Sequence, residues 1–164
     1  MAKLLFPNRW ISLYEGDSGP YVESGDGVMC VPVTAEGNVL FILEPNAYDG
    51  EFSLYLAAGK IEDGEDLAEC ANRELQEEAG VKAGRMELLA TVRPWFKYLD
   101  SKLTIFLARD LIPSKLDGDE AYTIEISYLP LATFEEQIAA GRLVDSSVIA
   151  ALFLARAKLA SEGR

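Results

Sequence analysis

Three glutamates lie close together in one segment of the chain, namely Glu74, Glu77 and Glu78. The composition from Glu65 to Ala79 predicts a helix that ends at Gly80. Because a helix turns by about 100° per residue, Glu74 and Glu78 would point about 40° apart, with Glu77 on the same side. The two outer glutamates would border an apolar stripe. The residues predicted for that stripe are Leu67, Ala71 and Leu75.

Two carboxylates beside an apolar stripe repel each other and resist burial. A hard divalent cation such as Mg²⁺ would relieve both effects, because it prefers oxygen ligands and leaves room for water and substrate phosphates. Arg73 would project beyond Glu77 and could orient a carboxylate from that side. The alternative is an ordinary solvated face, on which Arg73 forms surface ion pairs with Glu69 and Glu77.

The composition restricts the chemistry further. The 164 residues contain no histidine, which excludes Ser-His-Asp triads, Cys-His dyads and histidine-bound zinc. Carboxylates must therefore perform any acid–base step. The formal net charge of −12 opposes binding to nucleic acid or to anionic membranes. A phosphorylated substrate would need metal ions or local arginines to be held.

The cysteines and the apolar runs bear on location. Cys30 and Cys70 have no metal-binding spacing, so we expect buried, reduced thiols. No apolar run is long enough to span a membrane, and the N-terminus lacks the core of a signal peptide. These features predict a cytoplasmic protein that binds neither membrane nor nucleic acid.

The elements that would position the glutamates mix strands with a few helices. The length suits one domain, residues 1–164, with residues 1–27 as an N-terminal extension. We predict the fold class α+β, with a mixed sheet covered by helices. The predicted strands are Trp10–Tyr14, Tyr21–Glu23, Val28–Thr34, Val39–Glu44, Ser53–Leu56, Met86–Thr91, Leu103–Arg109 and Tyr122–Leu129. The predicted helices are Glu65–Ala79, Thr133–Ala140 and Ser146–Ser161.

The residues around the glutamates also resemble a known signature, the Nudix box G-x5-E-x7-R-E-U-x-E-E-x-G-U. The matching residues are Gly59, Glu65, Arg73, Glu74, Leu75, Glu77, Glu78, Gly80 and Val81. The resemblance implies the Nudix fold, an α/β/α sandwich with a mixed β-sheet, in which residues 59–81 form a loop-helix-loop. Shorter motifs, such as Ala71-Asn72-Arg73-Glu74-Leu75 around the box arginine and Ser147-Val148-Ile149-Ala150-Ala151-Leu152-Phe153-Leu154 outside the box, resemble the ADP-ribose pyrophosphatase branch and, within it, the bacterial ADP compounds hydrolases.

The resemblance to the family implies roles for individual residues. Glu74 and Glu78 would be the principal metal ligands, assisted by Glu77 and by the main-chain carbonyl of Ala58. Arg73 would orient a glutamate. The implied ion is Mg²⁺, with Mn²⁺ as the alternative, and the implied reaction is hydrolysis of a nucleoside diphosphate linked to another group. The resemblance also implies a homodimer, to which the N-terminal region often contributes.

A carboxylate outside the helix commonly completes such sites in this family. The acidic loop that follows Leu116 offers Glu120 as the first candidate for the catalytic base and Asp119 as the second. The alternative is that this loop is only a flexible acidic turn with Asp-Gly chemistry.

Aromatic residues cluster in another predicted loop. Trp95, Phe96 and Tyr98 offer flat faces on which an adenine ring could stack. In the alternative, each of these rings caps the core. Lys60 and Arg93 are the candidates for contact with substrate phosphates.

These features together predict a Mg²⁺-dependent enzyme that hydrolyses ADP-linked compounds, ADP-ribose foremost, to AMP and a phosphorylated product. The branch usually has an arginine near the substrate phosphates where this chain has Leu43, so we expect relaxed selectivity for the group on the far phosphate. One alternative is an enzyme that hydrolyses dinucleoside polyphosphates or other nucleotide sugars. The other is a Nudix domain that senses nucleotides without cleaving them.

Overall fold

The apolar runs of the sequence form three β-sheets in the computed structural model, which describes residues 2–8, 11–118 and 124–163. The strands are β1 (Lys3–Pro7), β2 (Ser12–Gly16), β3 (Gly19–Glu23), β4 (Gly27–Pro32), β5 (Asn38–Pro45), β6 (Phe52–Tyr55), β7 (Ala58–Lys60), β8 (Val81–Val92), β9 (Leu99–Asp100), β10 (Leu103–Pro113) and β11 (Glu125–Pro130). The helices are α1 (Leu67–Ala79), α2 (Glu135–Ala139) and α3 (Ser146–Ser161), with a 3₁₀ turn at Leu131–Thr133.

The central sheet is mixed and has the strand order β7-β4-β10-β8. Strands β4 and β10 run parallel, while β7 and β8 pair antiparallel with them at the two edges. A second, antiparallel sheet has the order β11-β5-β6, and the N-terminal strands form a third sheet in the order β1-β2-β3-β9.

Strand β4 is buried on both faces, which explains why its sequence is a continuous apolar run. Val28 and Cys30 belong to the core that includes Leu75 of α1. Met29 belongs to the opposite core, which includes Leu152 of α3. Helices therefore cover the sheets from both sides. The predicted fold, a mixed sheet between helical layers, is confirmed.

Helix α1 begins two residues later than predicted. The side chain of Asp66 accepts hydrogen bonds from the N–H groups of Ala68 and Glu69, so Asp66 is the N-cap and Leu67 is the first helical residue. The helix ends as predicted at Gly80, which has the left-handed φ of 68°. The predicted stripe was partly wrong, because Leu67 is 38% exposed. The buried residues of α1 are Cys70, Ala71, Leu75, Glu78 and Ala79.

Strands β1, β7 and β9 were absent from the prediction, and β8 was predicted too short. Strand β7 has only three residues and is held by pairing with β4, so no periodic pattern marks it. Strand β8 begins at Val81 rather than Met86, because residues 81–83 pair with the far end of β10. Strand β1 was missed as well. The predicted starts at Trp10 and Tyr122 lie outside the described residues.

The N-terminal sheet differs from the other two in its exposure. All residues of its edge strand β1 are exposed, including Leu4, Leu5 and Phe6. Elsewhere Cys30 and Cys70 are free and buried, as predicted. Among the described residues, no helix has the length and apolar character needed to cross a membrane.

Candidate active site

Glu74 and Glu78 both project from α1 towards the short strand β7. The Glu78 carboxylate accepts a hydrogen bond of 3.0 Å from the Ala58 N–H and is almost fully buried. The Glu74 carboxylate lies so close to Gly59 that a Cβ at this position would collide with its Oε1 atom. A side chain at position 59 would therefore displace Glu74, which is the physical reason for a glycine at the start of the box.

Arg73 holds three carboxylates together at the outer side of this contact. Its Nε donates to Glu65 at 2.9 Å, and its Nη1 donates to Glu74 at 2.8 Å and to Glu77 at 3.0 Å. The guanidinium also donates to the Lys60 carbonyl at 3.4 Å. Glu74, one of the three partners, lies against β7. The network therefore differs from the predicted alternative, in which Arg73 pairs with Glu69 and Glu77 on an exposed face.

The charges of this network shift its acid–base equilibria. The hydrogen bond from Arg73 lowers the pKa of Glu65 from 4.5 to about 2. Burial raises the pKa of Glu74, although the Arg73 guanidinium opposes this shift. Glu74 is therefore a partly desolvated carboxylate. Arg73 also pairs with Glu65 and Glu77, and it does not fully offset the cost of desolvating Glu74.

The donor set suits a divalent cation that keeps part of its water shell. Within the described ranges, no three carboxylate or thiol side chains form a ready-made metal site. Mg²⁺ does not need one, because it is usually held by one or two carboxylates together with water and substrate phosphates. The Ala58 N–H faces Glu78, and a strand residue directs its N–H and C=O to the same edge. The Ala58 carbonyl therefore faces α1 beside Glu74 and Glu78.

The segment after β10 is attached to the C-terminal half of α1. The Ser114 N–H donates to the Gly80 carbonyl at 2.9 Å, and the Ser114 hydroxyl donates to the Gln76 side chain at 2.9 Å. The Leu116 N–H donates to the Gln76 carbonyl at 3.3 Å. These contacts were not predicted, because Gln76 occupies a variable position of the box and Ser114 belongs to no recognisable motif.

The same segment leads towards the predicted base. A Cβ built on Gly118 would lie 3.5 Å from the Cβ of Glu77. The segment after β10 therefore comes close to Glu77 at Gly118. Asp119 and Glu120 follow immediately but lie outside the described residues, and their role as base stays a prediction.

The predicted substrate-binding residues fall into two groups. Lys60 ends β7 beside the carboxylate network. The others lie in the loop that joins β8 of the central sheet to β9, which pairs with β3 of the N-terminal sheet. Arg93 forms an exposed ion pair with Asp100 at 3.5 Å.

The aromatic loop does not cap the core. Trp95 is 69% exposed and Phe96 is 77% exposed. Trp95 lies against Tyr98 with ring centroids 5.2 Å apart. The loop between β8 and β9 thus presents exposed aromatic rings, while the carboxylates lie between α1 and β7.

The fold and this site define a class of protein. The family model for the NUDIX domain matches residues 23–152, and the chain belongs to the Nudix family. The ADP compounds hydrolase NudE of Escherichia coli (strain K12) is 32% identical over 139 residues, which cover 85% of this chain and 74% of that protein.

Two further relatives broaden the comparison. A crystal structure of an ADP compounds hydrolase superimposes with a TM-score of 0.86 and 28% identity, covering 100% of this chain and 94% of that chain. An RNA pyrophosphohydrolase of Dinoroseobacter shibae (strain DSM 16493 / NCIMB 14021 / DFL 12) is 39% identical over 70 residues, which cover 42% of this chain and 44% of that protein.

The Glu65–Arg73 contact makes a prediction about stability and pH. Because the pKa of Glu65 is depressed in the folded state, its stabilisation is present above pH 4.5 and is lost as the pH falls towards 2. We expect Glu65→Gln to lower the free energy of unfolding at pH 7, and the difference from wild type to shrink below pH 4.5. Urea unfolding of metal-free protein between pH 7 and pH 3 would measure this difference.

Glu69→Gln is the matched control, since Glu69 is an exposed glutamate in the first turn of the same helix. It should show little change at any pH. A deficit in Glu65→Gln that stays constant down to pH 3 would contradict the assignment of the Glu65–Arg73 pair as an ionic interaction.

Proposed function

We propose that this Nudix protein hydrolyses the pyrophosphate bond of ADP-linked compounds, ADP-ribose foremost, to AMP and a phosphorylated product. The observation that carries the proposal is the pair of glutamates, Glu74 and Glu78, held against β7 in a chain with this family membership. The similarity to ADP compounds hydrolases over most of the chain supports the choice of the ADP half.

Glu74, Glu78 and the Ala58 carbonyl would hold Mg²⁺, with Glu77 assisting and Mn²⁺ as the alternative ion. When bound, the ion would supply neutralisation of phosphate charge and a lower pKa for water. Arg73 would position the ligands, because its Nη1 donates hydrogen bonds to both Glu74 and Glu77. Its own orientation is fixed by the hydrogen bond from Nε to Glu65.

Glu120, or Asp119 in its place, would accept the proton from the attacking water. The attachment of Ser114 and Leu116 to α1 brings the chain towards Glu77 and supports this assignment. No histidine competes for this role.

Substrate recognition would divide between the two groups of predicted residues. Lys60 lies beside the carboxylates and would contact one substrate phosphate. If the nucleotide binds at the aromatic loop, Arg93 would contact the other phosphate. Stacking of adenine on Trp95, Phe96 or Tyr98 would contribute about 1–3 kcal/mol with little hydrogen-bond discrimination. The aromatic exposure supports this role, because rings that cap a core would be buried.

The substrate assignment can be tested with purified protein and Mg²⁺. We expect kcat/KM to be highest for ADP-ribose, with NADH and diadenosine triphosphate within about 10–200-fold, since pockets discriminate weakly against groups that differ only in size. Phosphatase-coupled detection of the products measures each rate. GDP-mannose is the control that lacks adenine, and a preference for it over all three adenine compounds would overturn the ADP assignment.

The metal assignment makes a separate prediction. We expect Glu78→Gln to lose at least about 100-fold in kcat, because a neutral amide is a poor ligand for a hard cation. The variant should stay folded, since the amide oxygen can still accept from the Ala58 N–H. Steady-state kinetics and circular dichroism measure the two effects.

Glu69→Gln again serves as control, because it removes an exposed charge from the same helix. Its turnover should match the wild type. Unchanged kcat in Glu78→Gln would reject the proposed metal site while leaving the fold intact.

We further propose that two copies of the chain form a homodimer through the N-terminal sheet. Strand β1 is an edge strand whose main-chain groups face outwards on one side, and Leu4, Leu5 and Phe6 are each at least 45% exposed. An apolar strand at an open edge is prone to pair with another chain. Because two copies that each carry a net charge of −12 repel each other, a contact between them would have to be apolar to offset the repulsion.

Phe6→Asp tests the dimer. We expect wild type to have twice the 18.0 kDa chain mass and the variant to be monomeric, because a carboxylate would be buried at the contact. Size-exclusion chromatography with light scattering measures the mass. Phe52→Asp is the matched control, since Phe52 and Phe6 are both 59% exposed but Phe52 lies on β6. A monomeric wild type, or a dimeric Phe6→Asp, would refute the proposal.

A further inference from the structure

Asn72 makes an unusual contact between α1 and strand β8. Its side-chain Nδ2 donates to the Ala83 carbonyl at 3.0 Å, and the Ala83 N–H donates to its Oδ1 at 2.9 Å. The side-chain amide thus exchanges two hydrogen bonds with one residue of a strand, as the main chain of a neighbouring strand would. Asn72 belongs to the sequence between Glu65 and Arg73 that the Nudix box leaves variable.

Ala83 needs such a partner. Strand β8 lies at the edge of the central sheet, and Ala83 pairs with β10 on its other side only. Ala83 is 4% exposed, so water has little access to its outward N–H and C=O groups. Leaving a buried polar group without a hydrogen bond costs about 1–3 kcal/mol. Asparagine supplies a donor and an acceptor on one short side chain and satisfies both groups.

The contact also fixes the orientation of α1. Asn72 and Glu74 are two residues apart, which places their side chains about 200° apart around the helix. Asn72 therefore holds α1 to β8, while Glu74 and Glu78 face β7 at the opposite edge of the same sheet. On the β7 side the Glu74 carboxylate packs against Gly59, where a Cβ would collide with it.

We propose that Asn72 is a positioning residue, which locks the rotation of α1 through Ala83 so that Glu74 and Glu78 keep their geometry at β7. The proposal deepens the proposed function and rests on it where turnover is concerned. The two hydrogen bonds of the Asn72 side chain both go to Ala83, so it would act through the helix that carries the carboxylates.

The test uses Asn72→Ala in the full-length chain. Alanine is the strongest helix former, so the change does not weaken α1 itself. We expect the Ala83 amide to exchange hydrogen faster, and Mn²⁺ affinity, measured by electron paramagnetic resonance, to fall about 10-fold or more. On ADP-ribose with Mg²⁺, kcat should fall about 10- to 100-fold while KM stays within about twofold, because the loss concerns the placement of the ligands.

Thr104→Val is the matched control. It removes the buried hydroxyl contact of 3.2 Å between Thr104 and Thr91, which joins β10 to β8 without involving α1. Both variants are compared below their unfolding transitions, as judged by circular dichroism. Thr104→Val should lose stability yet keep the wild-type Mn²⁺ affinity and kcat.

The outcomes separate the inference from the proposed function. Wild-type Mn²⁺ affinity and kcat in Asn72→Ala, despite fast exchange at Ala83, would overturn the positioning role. An equal fall in kcat in Thr104→Val would overturn it too, since general destabilisation would then explain the loss. If the wild type fails to cleave ADP-ribose while Asn72→Ala still weakens Mn²⁺ binding, the substrate assignment fails and the positioning role stands.

Discussion

The structure depends on one electrostatic constraint, which is that like-charged carboxylates are held at the partly buried contact between α1 and β7. Such a contact is unfavourable unless cations and N–H donors offset the repulsion and the lost hydration. Arg73 supplies the cation that the chain itself contains, and the Ala58 N–H supplies the donor. The small size of Gly59 makes the approach sterically feasible. The box residues therefore form one electrostatic unit rather than a set of independent contacts.

The net negative charge of the whole chain bears on how this electrostatic unit could bind a phosphorylated substrate. A protein of net charge −12 repels a diphosphate, and among the described residues the basic ones near the carboxylates are Arg73, Lys60 and Lys115, whose Nζ donates to the Glu77 carbonyl. Arg73 is already engaged by three carboxylates. In the proposed site, positive charge at Glu74 and Glu78 would both satisfy the carboxylates and attract the substrate, so metal binding and phosphate binding would favour each other.

The sequence could predict the parts that depend on local signals. Helix α1 and its end at Gly80 follow from composition and from the left-handed conformation that glycine accepts, and β4 follows from an apolar run. Strand β7 could not be predicted, because three residues have no periodicity and depend on pairing with β4. The exposure of Leu67 was missed because the Asp66 cap fixes where the helix starts.

The same distinction applies to the site. The residues that face β7 could be identified because they recur at fixed spacing within one segment, and a helix converts that spacing directly into proximity. The contacts of Gln76 with Ser114 and of Asn72 with Ala83 join separate elements, and their partners are set by the sheet rather than by spacing. A helix that carries carboxylates against β7 on one side needs its other side fixed as well if those carboxylates are to keep their places. Residues at variable positions of the box, such as Asn72 and Gln76, would supply part of that attachment.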